Sequence, residues 1–447
     1  MKDLKSNDNM TEGSILNAVV RLFIPIALGI FFQQLYNTSD AIIVGNFVGK
    51  EALASVGGPT GAIVNLIVGF FTGVSSGSAV IISQMYGAKN SDGISKTVHT
   101  SIMLAILSGL IFTIAILLFA ADMLRLMGTP EDIMDYSIQY FKIYSIGMIP
   151  SLIYNMGASI LRATGDTKRP LFYLIITCVI NVVLDIIFIV CFKLEVAGAA
   201  IATVISQVIS ALIIISALYK SDEDYKFLPS QLKFTGSILG RIIYIGIPAG
   251  LQSVMYSSSN IVVQTSINSF GTDTIAAWAA YSKLDAFLWM TVNSVGVAVM
   301  TFTGQNFGAR KYERIHKCVK ISLILTVVIT VVMGSVMIIF GKNLLSMFNS
   351  DKAVISIGFT ILRFLVILYI IYVPIEIFAG VLRGVGDAIV PTLITCFGIC
   401  VLRILWIIVA VPIKYTLFTT LMSYPVTWIV TTLMFVIYYF KGKWLKV

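Results

Sequence analysis

Histidine is almost missing from this chain, and cysteine is sparse. Only His99 and His316 occur, with Cys178, Cys191, Cys318, Cys396 and Cys400, and no grouping of them has metal-ligand spacing. A transition-metal site, a catalytic triad and a disulfide framework are therefore not expected, and the chain does not read as an enzyme. The cysteines read as small apolar side chains and the histidines as surface imidazoles in basic connecting segments. Charge is scarce too, at 12% Asp, Glu, Lys and Arg, against roughly 25% in soluble domains. The first residues, MKDLKSNDNMTEGS, lack the apolar core and small-residue cleavage site of a secretory signal. What is abundant is apolar sequence, 57% of 447 residues.

A spanning helix needs about 20 mostly apolar residues. Twelve such runs can be marked: 17–44, 54–80, 98–120, 134–161, 170–192, 196–219, 237–268, 275–304, 318–340, 354–382, 391–413 and 418–440. The fold class that follows is an all-α membrane protein. Its net charge is +9, but the basic residues sit in short gaps between apolar runs, so membrane lipid rather than nucleic acid is the expected partner. Most Lys and Arg residues fall in the termini and in the gaps after even-numbered runs, Lys89, Lys168, Lys226 and Arg310 among them. The excess of cations on the cytoplasmic side then predicts a multi-pass plasma-membrane protein with both termini inside.

The longest polar gap, KSDEDYKFLPSQLKFTG at 220–236, follows the sixth run and reads as a linker between halves. The expected division is a cytoplasmic N-terminal segment 1–16, an N-lobe 17–219, the linker 220–236, a C-lobe 237–440 and a basic cytoplasmic C-terminus 441–447. The halves repeat one another. LRATGDTKRP at 161–170 returns as LRGVGDAIVP at 382–391, and QMYGAK at 84–89 as QNFGAR at 305–310, both at an offset of 221. GIFFQQLYNTSD at 29–40 aligns with AGLQSVMYSSSN at 249–260. Six helices per copy bring both copies in from the same side, giving two pseudo-symmetric six-helix lobes in a parallel repeat. Transporters of that build enclose a central cavity and alternate its opening by rocking one half against the other. The LRxxGD turns read as structural, with Gly165 and Gly386 permitting tight turns and Asp166 and Asp387 capping.

Charge inside the bilayer is expensive, which makes each such residue a functional candidate. In the N-lobe these are Asp40 on the first run, with Asn181 and Asp185 four residues apart on the fifth and Thr203 on the sixth. At 1.5 Å per residue their depths differ by about one helical turn, so the four side chains can meet. Two carboxylates, an amide and a hydroxyl suit a hard cation such as Na+. Two carboxylates away from water also cannot easily both be ionised, so a proton would compete. The alternative is that Asn181 and Asp185 merely bond neighbouring helices. At the repeat offset Asn181 and Asp185 become Leu402 and Trp406, so the acidic set belongs to one lobe.

The C-lobe carries Lys283, Asp285, Glu376 and Arg403. Arg403 is expected to pair with Asp285 or Glu376, since an unpaired charge there costs several kcal/mol. A role in substrate binding or gating and a structural ion pair both stay open for this set. Pro25 and Pro248 are expected to interrupt the first and seventh helices, as kinks that move or as passive curvature.

With these residues in view the chain resembles the multidrug and toxic compound extrusion family of secondary transporters, over about residues 12–440. The resemblance rests on QQLYNTSDAIIVGNFVG, SQMYGAKN, LRATGDTKRP, NVVLD and VAGAAIATVISQ. It implies two six-helix lobes in a V around a central cavity. It implies efflux of organic, often cationic and amphipathic compounds in exchange for Na+ or H+, with no other cofactor. In the branch with an acidic N-lobe the coupling residues match Asp40, Asn181, Asp185 and Thr203, and Gln34 and Asn155 match polar cavity positions. Relatives with a C-lobe cation site carry a glutamate on the seventh helix, whereas 237–268 has no acidic residue. Function as a monomer is expected. The alternative is a lipid-linked glycan flippase of a related superfamily, which would favour a strongly cationic cavity. An intramembrane enzyme, a channel and a receptor find less in the sequence.

Overall fold

The computed structural model describes residues 10–442 and 444, and nearly all regular structure among them is α-helix. The expected terminal segments therefore lie partly outside the described residues, at 1–9, 443 and 445–447. The chain divides into two compact units, one of Pro25–Gly250 and one of residues 10–24 and 251–444. Both borders cut through long helices, near Pro25 and near Pro248.

The first unit takes most of α1 (Ile15–Phe47), then α2 (Lys50–Gly57), α3 (Pro59–Gly87), α4 (Ser91–Leu126), α5 (Glu131–Ile146), α6 (Met148–Ala163), α7 (Lys168–Asp185), α8 (Glu195–Tyr219) and the start of α9 (Gly236–Asn268). A π-helical segment, Ile186–Cys191, extends α7 directly after Asp185. Ile43, Val44, Ile116, Leu124, Phe141, Met148 and Val196 form its core. The linker is ordered against this unit. The Leu228 N–H donates to His99 Nε2 (3.0 Å) and the Thr235 N–H to Thr100 Oγ1 (3.1 Å). His99 is thus buried, 2% exposed, and not the surface imidazole expected, because its two ring nitrogens bond the linker and the Ser95 carbonyl.

The second unit holds the rest of α1 and α9, then α10 (Thr272–Gly308), α11 (Tyr312–Ile339), α12 (Gly341–Ser346), α13 (Lys352–Leu368), α14 (Val373–Gly384), α15 (Ile389–Thr395), α16 (Leu402–Ile413), α17 (Leu417–Leu421) and α18 (Ser423–Lys441). Here a π-helical segment, Cys396–Val401, joins α15 to α16 just before Arg403. The chain is an all-α membrane protein of two lobes, and the repeat is visible in detail. Gly165 and Gly386 both take φ near +100° (100° and 96°), and in each turn the aspartate N–H bonds the leucine carbonyl five residues back at 3.0 Å. Lys89 and Arg310 share a left-handed φ of 54° and 58°.

Among the described residues, eleven helical stretches are long and apolar enough to cross a membrane. The expected run 134–161 is instead two 16-residue helices, α5 and α6, that meet at Gly147. Pro150 sits in the first turn of α6 and lacks the N–H that would continue α5 through this point. The expected run 354–382 breaks at the equivalent place, where a 3-10 turn, Tyr369–Ile371, precedes Pro374 in the first turn of α14. Pro25 and Pro248 lie inside α1 and α9, each of which continues through its proline as one 33-residue helix rather than as two segments. In hydrocarbon every freed backbone group is costly, which favours keeping the rest of the ladder intact.

Candidate functional site

Four side chains from three helices of the first unit meet in its interior. Asp40 projects from α1, Asn181 and Asp185 from one face of α7, and Thr203 from α8. All four are buried, with Asn181 and Asp185 fully enclosed. Asp185, Asn181 and Thr203 all come within interaction range of the Asp40 carboxyl. Yet among the described residues Thr203 alone makes a hydrogen bond to it, Oγ1 donating to Oδ2 at 3.4 Å. Asp40 Oδ1, both Asp185 oxygens and both polar atoms of the Asn181 amide have no hydrogen-bond partner among the described residues. Buried polar groups are nearly always hydrogen-bonded, so five orphaned atoms in one cluster mark a place built for something else to bind. The π-helical segment that begins after Asp185 is the kind of local widening that recurs at functional sites.

Asp40 and Thr203 also line a cavity of about 280 Å³ within the same unit. Its wall adds Tyr36, Tyr140, Tyr144 and Gln207. Asn155 lies on this wall, its amide donating to the Ser151 carbonyl at 2.9 Å. Gln33 lines the cavity, while Gln34 is exposed and is not among its wall residues. The cluster is thus reached through an aromatic and amide-lined vestibule.

The C-lobe charges do not form the ion pair expected. Among the described residues, Arg403 makes no contact within 4.0 Å with Asp285 or Glu376. Its guanidinium lies over the Tyr424 ring at 4.1 Å from the centroid, and Nη2 reaches Thr427 Oγ1 at 3.4 Å. The electron-rich ring face competes successfully for the cation. Each carboxylate takes a tyrosine instead: Tyr281 donates to Asp285 (2.9 Å) and Tyr372 to Glu376 (2.7 Å). Asp285 and Arg403 line a second cavity of about 300 Å³, whereas Lys283 is exposed and stands apart from its wall.

Comparison with known proteins settles the lineage. The MatE family model matches residues 25–187 and 248–409, one stretch in each half. The chain belongs to the MatE family. It is 28% identical over 87% of its length to the probable multidrug resistance protein YoeA of Bacillus subtilis, covering 85% of that protein. It is 23% identical over 84% of its length to the multidrug export protein MepA of Staphylococcus haemolyticus, covering 83% of it. Among solved structures, a MOP superfamily transporter from Pyrococcus furiosus superposes with a TM-score of 0.91 at 22% identity, over 100% of both chains. A multidrug resistance MATE family transporter in an outward-facing conformation superposes with a TM-score of 0.90 at 24% identity, over 99% of both. As a MatE protein the chain is a membrane transporter and not an enzyme.

Sequence reasoning missed Tyr36, Tyr140, Tyr144 and Gln207, because it searched for charge. A signal was present: Tyr36 stands four residues before Asp40, and Gln207 four after Thr203, so each pair shares one helical face. Gly147 belongs with them. A Cβ there would collide with Gln207 Oε1, so the break between α5 and α6 makes room for an amide on the cavity wall.

Proposed function

We propose that this MatE protein is a secondary antiporter that exports organic, amphipathic or cationic small molecules in exchange for Na+ or H+ by alternating access. The coupling ion binds among Asp40, Asn181, Asp185 and Thr203. The protein acts as a monomer in the plasma membrane with both termini in the cytoplasm. The observation that carries this reading is the set of five unpartnered polar atoms on three enclosed side chains. Four oxygens among them and the Thr203 hydroxyl form the hard, oxygen-rich donor set that alkali and alkaline-earth cations prefer. A proton shared between the two carboxylates relieves the same deficit. Export of drug-like compounds is supported by the likeness to the probable multidrug resistance protein YoeA and the multidrug export protein MepA.

The test is efflux of a fluorescent organic cation from proteoliposomes under an imposed Na+ or proton gradient. The expected result is efflux with one gradient and none without, which also names the ion. Asp40→Asn and Asp185→Asn, purified with an unchanged size-exclusion profile, should both lose it. Gradient-driven efflux at the parent rate in both variants would end the proposal.

A further inference from the structure

The cavity of the second unit holds two opposite charges, Arg403 and Asp285, that make no ion pair within 4.0 Å among the described residues. Arg403 is only 3% exposed and lies against an aromatic face, with its Nε unpartnered and its remaining side-chain bond to Thr427 long, at 3.4 Å. A buried guanidinium without a carboxylate is costly, and here it borders an opening of about 300 Å³. Asp285 borders the same opening, and its carboxylate accepts a hydrogen bond from the Tyr281 hydroxyl at 2.9 Å. Eight aromatic rings, those of Tyr256, Trp278, Tyr372, Tyr424 and Trp428 among them, form much of the wall.

The repeat shows how specialised this chamber is. Tyr256 is the counterpart of Tyr36, so one ring is common to both cavities. But Thr203 and Gln207, on the wall of the first cavity, become Tyr424 and Trp428 at the offset of 221. The polar wall on which the cation cluster opens is replaced by an aromatic box with one charge of each sign.

We propose that this cavity is a second ligand site, for a small aromatic zwitterion: a ring carrying both an ammonium and a carboxylate. The ring stacks among the tyrosines and tryptophans, where offset and edge contacts favour another aromatic. The carboxylate takes the guanidinium hydrogen bonds that no protein group fills, and the ammonium meets Asp285 and the surrounding ring faces. A ligand with only one of these charges leaves the other buried and unpaired. The cavity is at the small end of the range for ligand sites, which limits the ligand to one or two rings. This proposal stands apart from ion coupling in the first unit and needs no gradient.

The experiment is equilibrium binding to the purified protein in detergent, without a gradient. Two matched sets with different charge separations are used: L-tryptophan and 4-(aminomethyl)benzoic acid, each with its methyl ester and its N-acetyl derivative. In at least one set the free zwitterion should bind about tenfold or more tighter than either singly charged form. Arg403→Gln should remove the advantage over the ester, and Asp285→Asn the advantage over the N-acetyl form. Asp285→Asn is nearly isosteric and Arg403→Lys keeps the buried charge, so a folded variant is available on either side of the pair. Asp40→Asn should leave this binding unchanged even if it stops transport. Equal binding of all three forms in both sets would overturn the proposal. So would an advantage over the N-acetyl form that survives Asp285→Asn at the parent level, or an advantage over the ester that survives Arg403→Gln.

Discussion

Thr203 is the residue whose contribution is easiest to isolate. Among the described residues its hydroxyl makes the one side-chain hydrogen bond received by the Asp40 carboxyl, and at 3.4 Å that bond is long. Such a contact is worth about 1 kcal/mol. Thr203→Val keeps the shape and removes the oxygen, so it should weaken apparent coupling-ion affinity by about fivefold while leaving the maximal rate near the parent. Thr203→Ser should stay close to the parent. The measurement is efflux rate against external Na+ or proton concentration in proteoliposomes, and a valine variant with unchanged half-saturation would remove Thr203 from the site. The members of this cluster were legible as candidates because ionisable groups in apolar runs stand out against their cost. Tyr36, Tyr140 and Tyr144 were not, since tyrosine is common among the 19 of this chain and carries no such signal. The pairing expected for Arg403 failed for a related reason: charge arithmetic sees carboxylates and overlooks ring faces, and Tyr424 supplied the face.

Helices in lipid gain no hydrophobic drive from meeting, so close packing of small residues holds them together. The same crossing appears in both units with different residues. In the first, Ser75 of α3 and Ser159 of α6 approach hydroxyl to hydroxyl at 3.4 Å. In the second their counterparts are Gly296 of α10 and Gly380 of α14, packed so closely that a Cβ on Gly380 would lie 2.6 Å from the Gly296 carbonyl oxygen. Gly380→Ala should therefore cost about 1–3 kcal/mol, the usual penalty of overpacking. Ser75→Ala should cost under about 1 kcal/mol, because that crossing already accommodates a side chain. Thermal unfolding midpoints in detergent compare the two; equal midpoints would show that the glycine crossing has slack. Hydropathy located the runs well because each is a long apolar stretch. It could not see the break at Gly147, where one glycine and Pro150 act inside an otherwise apolar window. Nor could it see the π-helical segment IIFIVC after Asp185, whose composition is uniform.

Across the whole chain the parallel repeat was the most legible feature, because identical residues recur at one offset through two turns per half. The division of chemistry between the halves was partly legible, in the loss of Asn181 and Asp185 to Leu402 and Trp406. Orientation rests on the distribution of Lys and Arg alone, and it can be tested directly. Asp222 and Ser350 are exposed and lie in gaps that the cation count assigns to opposite sides. Cys191 is exposed while the other four native cysteines are buried, so a Cys191→Ser background is nearly silent to maleimides. In that background Ser350→Cys should react with a membrane-impermeant maleimide added to intact cells, and Asp222→Cys only after permeabilisation. Cations resist translocation across the bilayer, so the gap containing Asp222, with Lys220, Lys226 and Lys233, is the one retained inside. The reverse labelling pattern would invert the topology, and Asp40 would then be entered from the cytoplasmic end of its helix rather than the outer one. Labelling of both sites in intact cells would mean that an even number of crossings separates them, so that one of the three intervening helices, α9, α10 and α11, does not span.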